Sequence, residues 1–137
     1  MIVHADVLLP GPAVSGTALA LSAPISFWGG VNPRTGDIAD PRHPDFGKRI
    51  TGQVLLIPAT VGSVSASAIL LELVHAGAAP AAIALHEPDA ILLLGLIVAK
   101  EMGHTTPIAL RLDRARYAAL DGRHIDVSSD GLIDIRD

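Results

Sequence analysis

The middle of this chain alternates between short apolar runs of strand length and longer segments of helix length. That alternation restricts its fold more than any other feature. Val54-Leu55-Leu56-Ile57 centres a buried strand read over Arg49 to Pro58. Ser63 to His75 has helical character, closed by Gly77 just past its end. Ala81 to His86 reads as a second buried strand. Asp89 to Met102 reads as a second helix, with Pro88 before its start and Gly103 after its end. Pro107 to Leu112 reads as a third strand. Strand–helix–strand–helix–strand predicts a parallel sheet with right-handed crossovers. The second helix is apolar nearly all round, which predicts that it is buried.

The flanks read differently. Ala13 to Leu21 is a strand, and Asp113 to Leu120 is a short helix. His124 to Val127 and Leu132 to Ile135 flank Ser128-Ser129-Asp130-Gly131, which predicts a hairpin. The first and last segments are expected to be antiparallel. The fold class is therefore α/β: a β/β/α domain with a barrel-like or layered β part and helices on one side. No internal repeat and no Ser/Gly-rich linker interrupts the chain, and 137 residues suit one domain, residues 1–137. Ser26 to Lys48 is a long irregular stretch rich in Gly and Pro. Loops of that length inside a compact domain are functional or disordered. Phe27 and Trp28 favour an ordered, functional loop.

Composition excludes several function classes. The net charge is -4 with no basic run, which argues against nucleic acid and against an anionic membrane surface. There is no cysteine, so thiolate ligation of zinc or of an iron–sulfur cluster by this chain is excluded. Met1 to Asp6 lacks the features of a signal peptide. The longest apolar stretch, Ala90 to Ala99, is too short to span a bilayer. The cytoplasm is the expected location.

One segment has the form of a site. Ile57-Pro58-Ala59-Thr60-Val61-Gly62-Ser63-Val64-Ser65-Ala66-Ser67 runs from a strand into a helix. Gly62 permits a tight turn and close approach of a ligand. The first N–H groups of the helix have no intrahelical partner and favour an anion. Ser63 falls at the helix start. A serine there is most often a simple N-cap, and these residues alone favour that reading. Serines at three alternating positions are harder to explain by capping. A serine base needs a positive neighbour or the helix dipole, and no Arg or Lys adjoins Ser63 in sequence. Its activation is therefore expected from the fold or from a partner. None of the histidines is paired at metal-ligand spacing on a helix. His43-Pro44-Asp45 reads as turn chemistry, His75 and His104 as helix-end residues, and Glu72 as solvated. No metal ligand is assigned.

Pro24-Ile25-Ser26-Phe27-Trp28-Gly29-Gly30-Val31-Asn32-Pro33, Thr35-Gly36, His43-Pro44 with Gly47, and Gly62-Ser63 with Ser65 and Ser67 together resemble the small subunit, or swivel domain, of aconitase X. The resemblance covers about Val14 to Pro107, with further matches at Leu73 to Pro80 and Gly95. It implies the swivelling β/β/α domain of the aconitase superfamily, closing over a large catalytic subunit that holds iron or an iron–sulfur cluster, with no cofactor in this chain. The superfamily motif is Gly-Ser-Ser-Arg, whose first serine is the catalytic base. Matched residue by residue, that serine is Ser63, and the arginine position falls on Ser65. Without the arginine, a small monocarboxylate or phosphate substrate is implied rather than a tightly gripped tricarboxylate.

The resemblance implies one of two hydro-lyase activities, both requiring the large subunit. One is dehydration of cis-3-hydroxy-L-proline, the other of mevalonate 5-phosphate. Only Lys48 and Lys100 are lysines, unlike a lysine-rich hyperthermophile chain, which tilts the reading to the first. Beside Ser63, the residues expected at the substrate are Ser26, Trp28, Gly29, Gly30, Gly62 and Ser65. Trp28 packed as core in a structural turn is the plainer alternative for that loop. A non-catalytic anion-binding regulatory module is the alternative for the whole chain.

Overall fold

A computed structural model describes residues 1–62 and 64–136. The two apolar strand runs of the chain's middle become β4 (Val54–Ile57) and β5 (Ala82–Leu85), every residue of which is buried. They pair in parallel, and β5 pairs in parallel with β6 (Ile108–Arg111). The crossovers are α2 (Val64–His75) and α3 (Ala90–Glu101). Alternate residues of the strands face opposite layers. Leu55, Ile57, Ile83 and Leu85 meet Leu70, Leu73, Leu92 and Leu96 of the helices. Val54, Leu56, Ala82 and Ala84 face the other way, toward Ile125, Val127 and Ile133.

That second layer is antiparallel, as the hairpin signal requires. β7 (His124–Val127) pairs with β8 (Leu132–Ile135), and β8 with β1 (Ile2–His4). The hinge between the layers is β3 (Val14–Ala20). Its first half, Val14 to Thr17, pairs antiparallel with β7, and Ala18 to Ala20 pair in parallel with β4. The strand order is β1-β8-β7-β3-β4-β5-β6-β2, where β2 is Asp6–Leu9. Only Ala5 separates β1 from β2, so one N-terminal run joins both ends of that order and closes the β part. Small side chains at Ala82 and Ala84 leave room inside for Tyr117, on α4 (Tyr117–Leu120) after a 3-10 turn at Arg114–Arg116. The Tyr117 hydroxyl donates to Ile57 O at 2.9 Å. Burial pushes its pKa far up, so it stays a neutral donor.

The Ser26 to Lys48 stretch is ordered. Phe27–Gly30 forms one irregular turn, α1, in which Trp28 (ψ 114°) and Gly29 (φ 75°) leave the helical region; Val31 and Ile38, with Ile50 just past the stretch, drop into the core. Asn32, Thr35 and Asp40 each accept a backbone N–H two residues on, closing successive turns. A buried clip ties the loop to the end of β3. Asp45 accepts Ser22 N–H at 2.8 Å and Lys48 Nζ at 2.9 Å, and His43 Nδ1 accepts Asp45 N–H at 3.0 Å. The turn chemistry read at His43-Pro44-Asp45 is this clip.

Two expectations need correction, and two strands carried no expectation at all. The strand read over Arg49 to Pro58 is only Val54–Ile57, because Ile50 N–H and Gln53 N–H enter turns, to Gly36 O and Ile50 O. The strands β1 and β2 carried no signal that was read. Most important, α3 is not buried all round. Leu92, Leu93, Leu96 and Ala99 face the core, while Ile91, Leu94, Ile97 and Val98 are exposed. A helix laid on one side of a sheet has one buried face, whatever its composition.

Two sets of variants test these assignments. Leu93, 7% exposed, turned to Asp should cost about 3–5 kcal/mol, whereas Leu94→Asp should cost under about 1 kcal/mol. Urea unfolding of both variants reads the difference directly. Burial raises the Asp45 carboxyl, but the Ser22 N–H and the Lys48 ammonium more than offset this and hold its pKa below the ordinary value. Its contribution is therefore whole above about pH 4 and fades as pH falls through the lower folded value. Asp45→Asn should cost about 1–3 kcal/mol at pH 7 and distinctly less at pH 3, in paired unfolding curves.

Candidate functional site: a strand-to-helix turn

At the carboxyl end of β4 the chain runs through Pro58 to Gly62 and enters α2 at Val64. Ser63, the proposed catalytic serine, lies outside the described residues. The turn on its N-terminal side is built from two directions. On one side Ile25 forms a parallel bridge with Thr60. Ile25 N–H donates to Ala59 O at 3.1 Å, and Val61 N–H donates to Ile25 O at 2.9 Å. On the other side Thr60 Oγ1 donates to Asp89 Oδ2 at 2.7 Å. Asp89 is the N-cap of α3, its Oδ1 accepting Leu92 N–H at 3.0 Å. One carboxylate thus fixes the start of α3 and the turn before α2 together. It also crowds Gly62, where a Cβ would lie 3.1 Å from Asp89 Oδ2. Val61 and Gly62 are exposed, so the turn opens to solvent.

The Ile25 bridge brings the start of the Ser26–Gly30 segment beside this turn. Ser26 Oγ donates to Trp28 O at 3.0 Å. Trp28 is 63% exposed, so the alternative of a core tryptophan is wrong: Phe27 is the buried aromatic of this pair. Gly29 takes φ 75°, a conformation that favours glycine. Gly30 is buried, with a Cβ position only 3.5 Å from Ile25 Cγ1, ordinary contact. Ser65 is exposed on the first turn of α2. Trp28 and Gly29 line a shallow cleft along α2 with Asn32, Arg34, Ile69 and Glu72. Among the described residues, Gly62 and Ser65 do not line that cleft. The six expected substrate residues therefore fall into two neighbouring groups, with Ser26 at their junction through Ile25.

Thr60 and Asp89 escaped the sequence reading. An Asp immediately before an apolar helical run is an N-cap signal, but nothing in one sequence says that its second oxygen reaches a neighbouring turn. At the carboxyl ends of β5 and β6, Arg111 Nε donates to His86 O and Arg114 N–H to His86 Nδ1, both at 3.0 Å. No group of three or more His, Cys, Asp or Glu that could hold a metal ion occurs among the described residues, and the sequence has no cysteine. These residues do not fit an iron or iron–sulfur centre.

A β layer closed on itself, backed on one side by two crossover helices and opening a glycine turn at the carboxyl edge of a parallel strand, defines a β/β/α domain. The match to known proteins narrows this. The family model of the aconitase X swivel domain covers residues 2–135, and the chain belongs to that family. It is 49% identical over 111 residues to a Pseudomonas aeruginosa protein named cis-3-hydroxy-L-proline dehydratase, covering 77% of this chain and 19% of that one. It is 40% identical over 85 residues to the phosphomevalonate dehydratase small subunit of Methanopyrus kandleri, covering 62% of this chain and 63% of that one. The chain thus matches about a fifth of the first relative's length and under two-thirds of the second's. The crystal structure of Thermococcus kodakaraensis aconitase X superposes with a TM-score of 0.85 at 24% identity, over 100% of this chain and 99% of that chain. At that identity the likeness speaks for the fold.

Asp89→Ala removes the cap of α3 and the acceptor of Thr60. It should lower stability by about 1–2 kcal/mol. Asp89→Asn keeps a capping oxygen and should recover at least half of that loss. Thermal melts of the two variants against the parent make the comparison.

Proposed function

We propose that the chain, residues 1–137, is one swivel domain of a cytoplasmic aconitase X hydro-lyase, working only when a large aconitase X polypeptide completes the site. The observation that carries this reading is the turn 59–62, which opens to solvent at Val61 and Gly62. It is held rigid by Ile25 and Asp89 and leads into α2 at the place where the superfamily's serine motif falls.

In this reading Ser63 is the general base that removes the proton α to the substrate carboxylate. The electron pair of that C–H bond forms the new double bond, and the neighbouring hydroxyl leaves as water, its proton supplied from the partner's side. The amide N–H groups of Val64 and Ser65, on the first turn of α2, take the carboxylate and its developing enolate charge. Ser65 stands where the superfamily has arginine. A hydroxyl donates one hydrogen bond in place of a bidentate fork, which suits one carboxylate rather than several. Gly62 lets the substrate approach the turn, and Ser26, Trp28, Gly29 and Gly30 form the adjoining wall. Asp89 places a carboxylate, not a cation, against Gly62. The positive potential that favours a serine alkoxide must therefore come from the α2 dipole and from the partner. The iron that the family resemblance assigns to the large polypeptide finds no cluster of ligands among the described residues, and no step of this chain is routed through it.

The substrate favoured is cis-3-hydroxy-L-proline, supported by the 49% identity to the Pseudomonas aeruginosa enzyme against 40% to the Methanopyrus kandleri subunit. Mevalonate 5-phosphate is the second reading, supported by the match to a relative that is itself a small subunit.

Ser63→Ala in the assembled enzyme should lower turnover about 100- to 10,000-fold, the span of a lost general base. A lost N-cap would cost only about 1 kcal/mol of stability and leave turnover near normal. Ser67→Ala is the control, since Ser67 Oγ donates to Val64 O within the helix. Melting temperature and turnover measured on the same samples separate the two roles, and near-normal turnover in Ser63→Ala contradicts the reading.

A further inference from the structure

α2 and α3 cross so closely at Gly95 that a Cβ there would lie 2.3 Å from Ser67 O. Inside this crossing the helices close the core. Outside it they leave a groove of about 280 Å³ lined by Val64, Ala68, Leu71, Leu94 and Val98. Val64 is 74% exposed and Leu94 49%, and Ile91 and Ile97 extend the apolar surface along α3. Scattered exposed apolar residues need no explanation, but a contiguous stripe on one helical face does. The outward face of a solvated helix carries charge. Ala90 to Ala99 carries none.

We propose that this stripe is the seat of the large aconitase X polypeptide, beside the turn that the two would share. The proposal rests on the functional reading above and adds which face of the domain is covered. Two observations select this occupant. Val64, which lines the groove, is the first residue of α2, and the exposed Val61 lies three positions before it on the turn. A body that closes on the turn from the helix side therefore covers the stripe as well. In the Pseudomonas aeruginosa relative the matching stretch is 19% of the chain, so the remainder is large enough to cover a stripe of this extent. A second copy of this chain would instead pair stripe with stripe and crowd both turns, closing the openings that a substrate needs.

The test uses the full chain co-expressed with the large aconitase X polypeptide of the same organism. The double variant Leu94→Glu with Val98→Glu places two charges on the stripe at exposed positions where glutamate is a good helix former. Its melting temperature alone should match the parent's. Its affinity for the large polypeptide, titrated by calorimetry, should fall at least 100-fold. Ile2→Lys, on β1 in the opposite layer and paired with Asp134, should bind like the parent. Binding of the double variant within threefold of the parent would overturn the proposal. So would a dimer of the parent chain that the double variant abolishes while assembly with the large polypeptide is unchanged. Failure of the unaltered chain to bind the large polypeptide at all would instead sink the functional reading, and this proposal with it.

Discussion

The structure depends on β4 being buried on both faces. None of its residues, Val54 to Ile57, is exposed to solvent. Two layers must therefore cover it, and the chain supplies them from opposite directions in sequence. The helices that follow it cover Leu55 and Ile57, and the hairpin near the C-terminus, with Tyr117, covers Val54 and Leu56. A strand held in this way has a fixed end. The Tyr117 hydroxyl on Ile57 O and the His86 N–H on the same carbonyl pin that end. The turn that leaves it is aimed by the core.

The turn in turn couples the two crossover helices. Asp89 caps α3 and holds Thr60, while the crossing at Gly95 brings α3 against α2. The segment before α2 thus cannot shift without disturbing both helices. Such rigidity suits a group that must meet a substrate held on another body, since a small misplacement of a catalytic group costs much of its effect. The electrostatics are less favourable to an alkoxide, because the nearest fixed charge on Gly62's flank is a carboxylate. Under the proposed function the remaining positive potential arrives with the partner.

Much of this was legible in the sequence, for reasons that differ by element. Apolar runs at Val54 to Ile57 and Ala82 to Leu85 announce strands buried on both sides, and Gly77 and Gly103 close the helices between and after them. The Ser-Ser-Asp-Gly turn announces the final hairpin. The segments Ile2 to His4 and Asp6 to Leu9 were not legible, because they are short and owe their structure to partners at the far end of the chain. The composition of α3 misled: uniform apolarity predicts burial, and a helix on the outside of a layer has one buried face only. At the site, the Gly62 turn and the Ser26 to Gly30 loop were both legible, but the two residues that brace the turn were not. Thr60 and Asp89 stand 29 positions apart, and only the fold brings them together. The role given to Ser63 comes from the family resemblance, since its local sequence favours a simple N-cap, and Ser63 lies outside the described residues.

The claim that this domain lends its turn to a dehydratase is tested most directly by purifying the chain together with the large aconitase X polypeptide. The complex is then assayed for water elimination from cis-3-hydroxy-L-proline and from mevalonate 5-phosphate. The account predicts turnover by the complex on cis-3-hydroxy-L-proline and none by this chain alone. A stable complex that dehydrates neither compound would contradict it and leave an anion-binding module in its place.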